Sequence, residues 1–549
     1  MYENALKRRN SKKFPVLLRI RRLSGFKPYP PARIWLLRIY VLDSLLQTQI
    51  ITLAALGIFA ALMIYIGVRS WHKTQTIDGF LLGGRKIGAW ASAFAYGTSY
   101  FSAVIFVGYA GKHGWSIGFG SMWIGVGNAV LGCLLAWLIL ARRTRNMTHR
   151  LGVKTMPEFF EARYSSTGMK VAAALIIFVF LVPYSAAVYK GLGSMFNTVF
   201  PGVSVKVCMA VIAVLTALYL VLGGYVATVY TDLIQGIIML FGVVAMVVAI
   251  VVHPSVGGVA EGFRRIREID PALVSPWGGS SFKFLCTNIL LTSFGTWGLP
   301  QMVSKYYAIK DEKAIGKATF VSTAFAMIIG CGAYFIGSLS RLILENKAPA
   351  LPNGGINFDA IIPNVLLTAL GDANVITTVI FAIVLLLLLS ASMSTLASVV
   401  LTSASAVSVD LIPVVKKNFN ASRQMLLTRS LCMLFVILSY VFATMNISII
   451  VNIMSFSWGI VSGCFNGPYI YGIYSRKATT AGAWAGITCG FAAVAVPTVY
   501  ITLTSDFAAA AATAPETGVL AMAASMVAVP LVSIFTKKPE RSLTDKAFG

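Results

Sequence analysis

Residues 385–400 read LLLLLSASMSTLASVV. Five consecutive leucines belong in lipid or in a protein core, yet hydroxyl side chains follow at Ser390, Ser392, Ser394, Thr395 and Ser398. Ser390, Ser394, Ser398, Thr402 and Ser405 step by four, four, four and three, which sets them on one face of a single helix. Ala391, Ser394 and Thr395 stand at i, i+3 and i+4. A helical carbonyl points toward the C-terminus, so the Ala391 oxygen and the two hydroxyl oxygens converge on one point. Three neutral oxygens with no carboxylate suit a hard monovalent cation better than a transition metal or a tightly held calcium. Against this stands a habit of Ser and Thr in membrane helices, a hydrogen bond to the residue's own i−4 carbonyl. On spacing alone the two readings are level.

The surrounding chain is apolar. Of 549 residues 57% are hydrophobic and 12% charged, and the mean hydropathy is +0.79. Its apolar runs repeatedly approach the ~20 residues that cross a ~30 Å hydrocarbon layer. The fold class expected is an all-α polytopic membrane protein with about thirteen transmembrane helices. Their centres fall near Ala60, Phe101, Val130, Phe180, Val214, Val243, Leu291, Ile328, Leu387, Val436, Gly459, Gly490 and Val527. Basic residues gather after the third, seventh, ninth, eleventh and last spans, among them Arg142, Arg143, Lys305, Lys310, Lys416, Arg429, Arg476 and Lys537. These loops share one side, which the positive-inside rule makes cytoplasmic. The chain is thus expected in the plasma membrane, with a cytoplasmic C-terminus and the first helix starting outside. The net charge of +26 is mostly this topology signal, and no nucleic acid partner is required. Seven scattered cysteines and four separated histidines suggest neither a disulfide framework nor a metal site.

Residues 1–47 are basic and fall on the wrong side of this count. Either they form an interfacial helix, or the working protein starts near Leu46; Pro28, Pro30 and Pro31 favour the second.

Two spans are interrupted. ASAFAYGTSYFSAVIFVGYAG (91–111) carries glycine and hydroxyls at mid-membrane, and TNILLTSFGTWGLPQMV (287–303) carries Gly295, Gly298 and Pro300. A break in lipid leaves backbone groups unpaired, so it is tolerated where they face protein, water or a ligand. The breaks lie five spans apart and so cross in opposite directions, as inverted repeats require; such pairs mark a transporter's central site. Close helix packing through small residues is the competing account.

From about Leu46 onward the chain resembles the sodium/solute symporter family, which includes sodium/proline, sodium/pantothenate, sodium/sialic acid and sodium/glucose symporters. The resemblance rests on FLLGGRKIGAW (80–90), KTMPEFFEARY (154–164), LGGYVATVYTDLIQ (222–235), GLPQMVSKYYAIKDEKAIGKA (298–318), SASMSTLAS (390–398) and GIYSRKATTAGAWAG (472–486), in that order. It implies a five-plus-five inverted-repeat core of the leucine-transporter (LeuT) type. The basic extension would occupy 1–47, a leading helix 48–72, core helices one to five 87–253, and core helices six to ten 282–476. Two further helices would occupy 479–536 and a cytoplasmic tail 537–549.

The resemblance also implies a sodium ion, as coupling ion, between the broken first core helix and the eighth. Its ligands would be the carbonyls of Thr98, Phe101 and Ala391 and the hydroxyls of Ser394 and Thr395. Asp232 matches an acidic residue on the ion's path to the cytoplasm, where a carboxylate attracts a departing cation; a carboxylate at a helix start is the plainer account. Ser99, Tyr100, Ser102, Thr296, Trp297, Ser457 and Trp458 stand beside the breaks as candidate solute contacts. Tyr100 replaces an aspartate of the proline symporters, Thr296 stands where sugar symporters place a gating tyrosine, and the residues that grip sugar have no match. Sodium-coupled symport of a small organic solute, an amino acid or carboxylate before a sugar, is the function expected, in a monomer or homodimer. Proton-coupled or uncoupled transport on the same fold, or a non-transporting solute sensor, are the alternatives; a membrane enzyme lacks the clustered acids, bases or metal ligands it would need.

Overall fold

The computed structural model describes residues 30–549 apart from 201, 352–353, 372–374, 417–419 and 446, with side chains from Gln49 onward except 198, 199, 280 and 421. Among the described residues the chain is helical, and no strand forms beyond isolated bridges. In lipid this is the arrangement that pairs each backbone group within its own segment. Nine stretches among the described residues are long and apolar enough to cross a membrane.

Helix α1 is Pro30–Ser70, so it begins well before the expected 48. Pro30 and Pro31 lie in its first turn, where a missing N–H breaks no helical hydrogen bond. Its apolar crossing stretch is Gln49–Thr74, and residues 1–29 lie outside the described residues. Next come α2 (Ala89–Tyr100), α3 (Ala110–Ile117, entered through a π-helical turn Val104–Tyr109) and α4 (Met122–Ala129, continuing as helix to Leu151). Then follow α5 (Thr167–Val199), α6 (Val205–Val252), α7 (Phe282–Gly298), α8 (Pro300–Ala308) and α9 (Glu312–Ile343). The last are α10 (Val375–Ser405), α11 (Ala421–Thr444), α12 (Ile450–Tyr474), α13 (Thr480–Thr504) and α14 (Ala514–Phe535). Side-chain caps start several of them: the Met169 N–H donates to Ser166, Gly482 to Thr479, and Ala314 to Asp311. The last bond, at 2.7 Å, holds the Asp311 carboxyl below its ordinary pKa.

The 48 residues of α6 would run about 72 Å as one straight helix, against a hydrocarbon layer of about 30 Å. The helix is broken at Gly224, whose φ of 49° favours glycine. Gly67 of α1 abuts Tyr219, while Met63, one turn earlier, receives a hydrogen bond from Gln235. Contacts one turn apart on α1 thus reach residues on opposite sides of the break, which requires a hairpin. A second reversal lies at Gly118, φ 62°. Gly97 and Ala110 meet Phe325 and Gly337 of α9 in rising order, whereas Gly125 and Cys133 meet Gly330 and Ser322 in falling order. The glycine contacts let α9 lie between both arms at backbone distance.

Of the thirteen expected centres, Phe101 falls in the break after α2 and each of the others on a helix. Lys305 is corrected: it is no loop cation. The seventh apolar run breaks at Leu299, with ψ 119°, and resumes as α8 with Lys305 on its buried side.

Candidate functional site

Both interrupted segments end where their glycines and hydroxyls predict. Helix α2 stops at Tyr100, and Phe101 is extended (φ −101°, ψ 112°); α7 stops at Gly298, and Leu299 is extended (φ −78°, ψ 119°) before Pro300 opens α8. Carbonyls in the last turns before each break are met by side chains from a facing helix. At the second break, Ser462 and Asn466 of α12 donate to the Gly295 and Phe294 carbonyls at 2.7 and 3.1 Å.

At the first break the donors come from α10. The Ser394 hydroxyl donates to the Thr98 carbonyl at 2.9 Å, and the Thr395 hydroxyl lies 3.3 Å from the same oxygen. Both also lie against the Ala391 carbonyl, at 3.1 and 3.0 Å. Thr395 makes the expected i−4 bond and Ser394 bonds the same carbonyl at i−3, and each hydroxyl also reaches across to α2. Thr98, Ala391, Ser394 and Thr395, all buried, form one cluster of neutral oxygens. The Ser99 carbonyl, 3.4 Å from the Thr395 hydroxyl, joins it and was not foreseen. Phe101 is buried at the end of α2, with its ring against Tyr100 and Phe325. Such a set, carbonyls and hydroxyls without a carboxylate, fits a hard monovalent cation.

The hydroxyl stripe continues past the cluster. Ser398 faces Ser99 at 2.8 Å and receives the Lys305 ammonium at 2.9 Å. Thr402 and Ser405, one and two turns on, line a cavity shared with Lys154, Thr155, Lys305 and Asp410. One face of α10 thus runs from the oxygen cluster to the basic side of the molecule. Asp232 is fully buried on the second arm of α6, facing Thr98 and Lys305.

The candidate solute contacts divide. Tyr100 and Trp458 face one another, ring centres 6.2 Å apart, and Tyr184 of α5 meets Trp458 edge-on at 5.7 Å. The buried Tyr184 hydroxyl lies on the side of Ser102 and Thr395 and, among the described residues, has no hydrogen-bond partner. Several of these side chains turn to backbone elsewhere: the Tyr100 hydroxyl donates to the Thr292 carbonyl at 2.7 Å, Thr296 to Gly132 at 3.0 Å, Trp297 to Leu131 at 3.0 Å, and Ser457 to Phe180. The one signal beside Tyr184 in the sequence is Pro183, a helix-interrupting residue within α5, followed by Ser185.

A second set of polar contacts ties together helices on the opposite side. Asp359 accepts the Lys190 ammonium at 3.0 Å and the Ile450 N–H at 3.2 Å, which pins the short helix Phe358–Ala360 to α5 and to the start of α12.

The profile of the sodium:solute symporter family matches residues 80–490. The chain belongs to that family. Among relatives of this sodium:solute symporter, the osmoregulated proline transporter OpuE of Bacillus subtilis is 27% identical over 496 residues, 89% of this chain and 95% of its own length. The sodium/proline symporter of Escherichia coli is 25% identical, covering 79% and 85%. The sodium/pantothenate symporter of Haemophilus influenzae is also 25% identical, covering 79% and 89%. A Na+-coupled sialic acid symporter solved in a substrate-bound, outward-open state superposes with a TM-score of 0.74 at 19% identity, covering 89% of this chain and 98% of its own. The fold is that of a multi-pass membrane transporter, not of an enzyme.

Proposed function

We propose that this sodium-coupled symporter carries a small amino acid or carboxylate, and that its ion binds the oxygens of Thr98, Phe101, Ala391, Ser394 and Thr395. The observation that carries the reading is the meeting of the Ser394 and Thr395 hydroxyls with the Thr98 carbonyl across a helix break. A cation there joins α2 to α10, and its charge lies beside the group formed by Tyr100, Ser102, Tyr184 and Trp458. That group offers ring faces and hydroxyls for an apolar body, while the ion supplies the positive charge that draws a carboxylate. The proline and pantothenate relatives carry solutes of this kind.

Transport proceeds by alternating access within each chain, whether it stands alone or as a homodimer. The two inverted repeats, 87–253 and 282–476, rock about the site, and the basic side, with the C-terminus, is cytoplasmic. Sodium enters from outside, completes the solute site, and leaves past Asp232 along the α10 stripe into the cavity beyond Lys305. One charge moving inward across ~100 mV supplies about 2.3 kcal/mol. Because ion and solute favour the same states, each raises the other's affinity by the same factor.

Reconstituted vesicles test this. Proline, pantothenate and glucose are offered in turn, with sodium or choline outside. Accumulation of one of the first two that follows the imposed sodium gradient is expected. Uptake that proceeds equally in choline would overturn the coupling, and accumulation of glucose alone would overturn the solute class.

A further inference from the structure

Asp232 is fully buried, and among the described residues no hydrogen bond reaches either of its carboxylate oxygens. The Thr98 hydroxyl faces it but donates to the Phe94 carbonyl at 2.8 Å. The next turn of the Asp232 helix packs on Thr98, since a Cβ on Gly236 would stand 3.1 Å from the Thr98 methyl, and the buried cation of this neighbourhood is Lys305, 1% exposed, which makes no ion pair within 4.0 Å of Asp232. A lone buried charge of either sign is strongly disfavoured, so each of these groups needs the other or a substitute. The ammonium is also placed for traffic. It bonds Ser398 at 2.9 Å and lies 5.1 Å from the centre of the Tyr225 ring. Ser398 bonds Ser99 at 2.8 Å, and the Ser99 carbonyl lies 3.4 Å from the Thr395 hydroxyl. Two hydrogen bonds and one residue thus separate Lys305 from the oxygen cluster, and on its other side it lines the cavity on the basic face. A cation passing from the cluster to that cavity, which Lys154 and Asp410 also line, meets Asp232 and Lys305 on the way.

We propose that the Lys305 ammonium is the resident counter-cation of Asp232 and competes with sodium for that carboxylate. This rests on the assignment of Asp232 to the sodium route. With no ion in transit the ammonium neutralises Asp232; a departing sodium takes that role while the long, flexible lysine stem swings toward the cavity. The competition keeps Asp232 a point of passage, because sodium held there displaces a cation that cannot leave.

Radioactive-sodium binding and thermal melting of the purified full chain test this, in wild type, Lys305→Met, Lys305→Arg, Asp232→Asn and the Asp232→Asn/Lys305→Met double variant. Removing the ammonium hands the carboxylate to sodium. Lys305→Met is expected to bind a second sodium per chain, or to bind sodium at least about tenfold more tightly, and to melt lower in choline than in sodium. The double variant loses that gain and melts above either single variant, and Lys305→Arg behaves as wild type. A Lys305→Met chain that binds sodium as wild type does, or a gain that survives in the double variant, would overturn the proposal. If Lys305→Met does not fold, the melting of Asp232→Asn against the double variant decides, because a mere packing role for Lys305 predicts no recovery. A wild-type chain that binds no sodium would instead sink the sodium reading on which the proposal stands.

Discussion

The Ser394 hydroxyl lies 2.9 Å from the Thr98 carbonyl, so the backbone released by the break in α2 is met by a side chain of α10. Each of these hydroxyls is one ligand of the proposed ion, and a bond to a charged partner is worth about 1.5–3 kcal/mol. Ser394→Ala and Thr395→Ala should each raise the sodium concentration for half-maximal uptake by roughly ten- to a hundredfold, at about 1.4 kcal/mol per tenfold. Sodium titration of solute uptake in vesicles measures this. Unchanged sodium dependence in both variants would remove α10 from the ion site.

The oxygen cluster was legible because its signals are local. Hydroxyl spacing on one helix and glycine with proline inside apolar runs both follow from backbone geometry, and the family resemblance then joined α2 to α10. What escaped depended on long-range packing. Lys305 read as a loop cation alongside Lys310, and nothing near it says that α8 buries it against Ser398. Tyr184 stood beside Pro183 in α5, but a proline within a helix does not say which neighbouring helix its face meets. The hairpin in α6 was expected as two spans, but its mechanism, a single residue at φ 49°, shows only in the backbone.

Tyr184 provides a test of where the solute sits. Its ring packs edge-on to Trp458 and its hydroxyl lies on the side of Ser102 and Thr395. Tyr184→Phe keeps the ring and deletes one hydroxyl, so loss of one ordinary hydrogen bond of about 0.5–1.5 kcal/mol should weaken solute binding by roughly two- to tenfold. Sodium binding without solute should change far less. Solute competition and sodium titration on the same preparation separate the two, and equal losses in both would place Tyr184 in the ion site instead.

The helix contacts predict a contrast within α9. A Cβ on Gly337 would stand 2.0 Å from the Ala110 carbonyl oxygen, a backbone atom that cannot step aside. A Cβ on Gly316 meets nothing within 4 Å. Gly337→Ala should therefore destabilise by at least the roughly 1–3 kcal/mol typical of overpacking, with melting and yield both falling. Gly316→Ala should be neutral or gain up to about 1 kcal/mol from helix propensity. Melting curves in detergent decide, and similar curves for both would mean that α9 does not approach α3 at backbone distance.

The clamp on the face away from the basic loops, the outer one in the proposed orientation, should set the balance between the carrier's two faces. Asp359 receives Lys190 at 3.0 Å and the Ile450 N–H at 3.2 Å, while Lys190 also donates to the Ser448 carbonyl at 2.7 Å. Below the clamp, the Tyr109 and Ser455 hydroxyls meet at 2.8 Å, both buried. Opening outward must separate Phe358–Ala360 from α5 and α12, so the ion pair favours the closed arrangement alone. Asp359→Asn leaves Lys190 without its carboxylate, and for a partly buried pair this costs about 1–3 kcal/mol, between the exposed and buried extremes. Charged to the closed state, that shifts the equilibrium toward outward-open by roughly five- to a hundredfold. A cysteine placed at Ser455, with exposed Cys489 replaced, reports the shift through its rate of reaction with an impermeant maleimide added from outside. The rate should rise in Asp359→Asn and in Lys190→Met alike. A folded Asp359→Asn chain that labels no faster would mean that the clamp does not bear on access to the site.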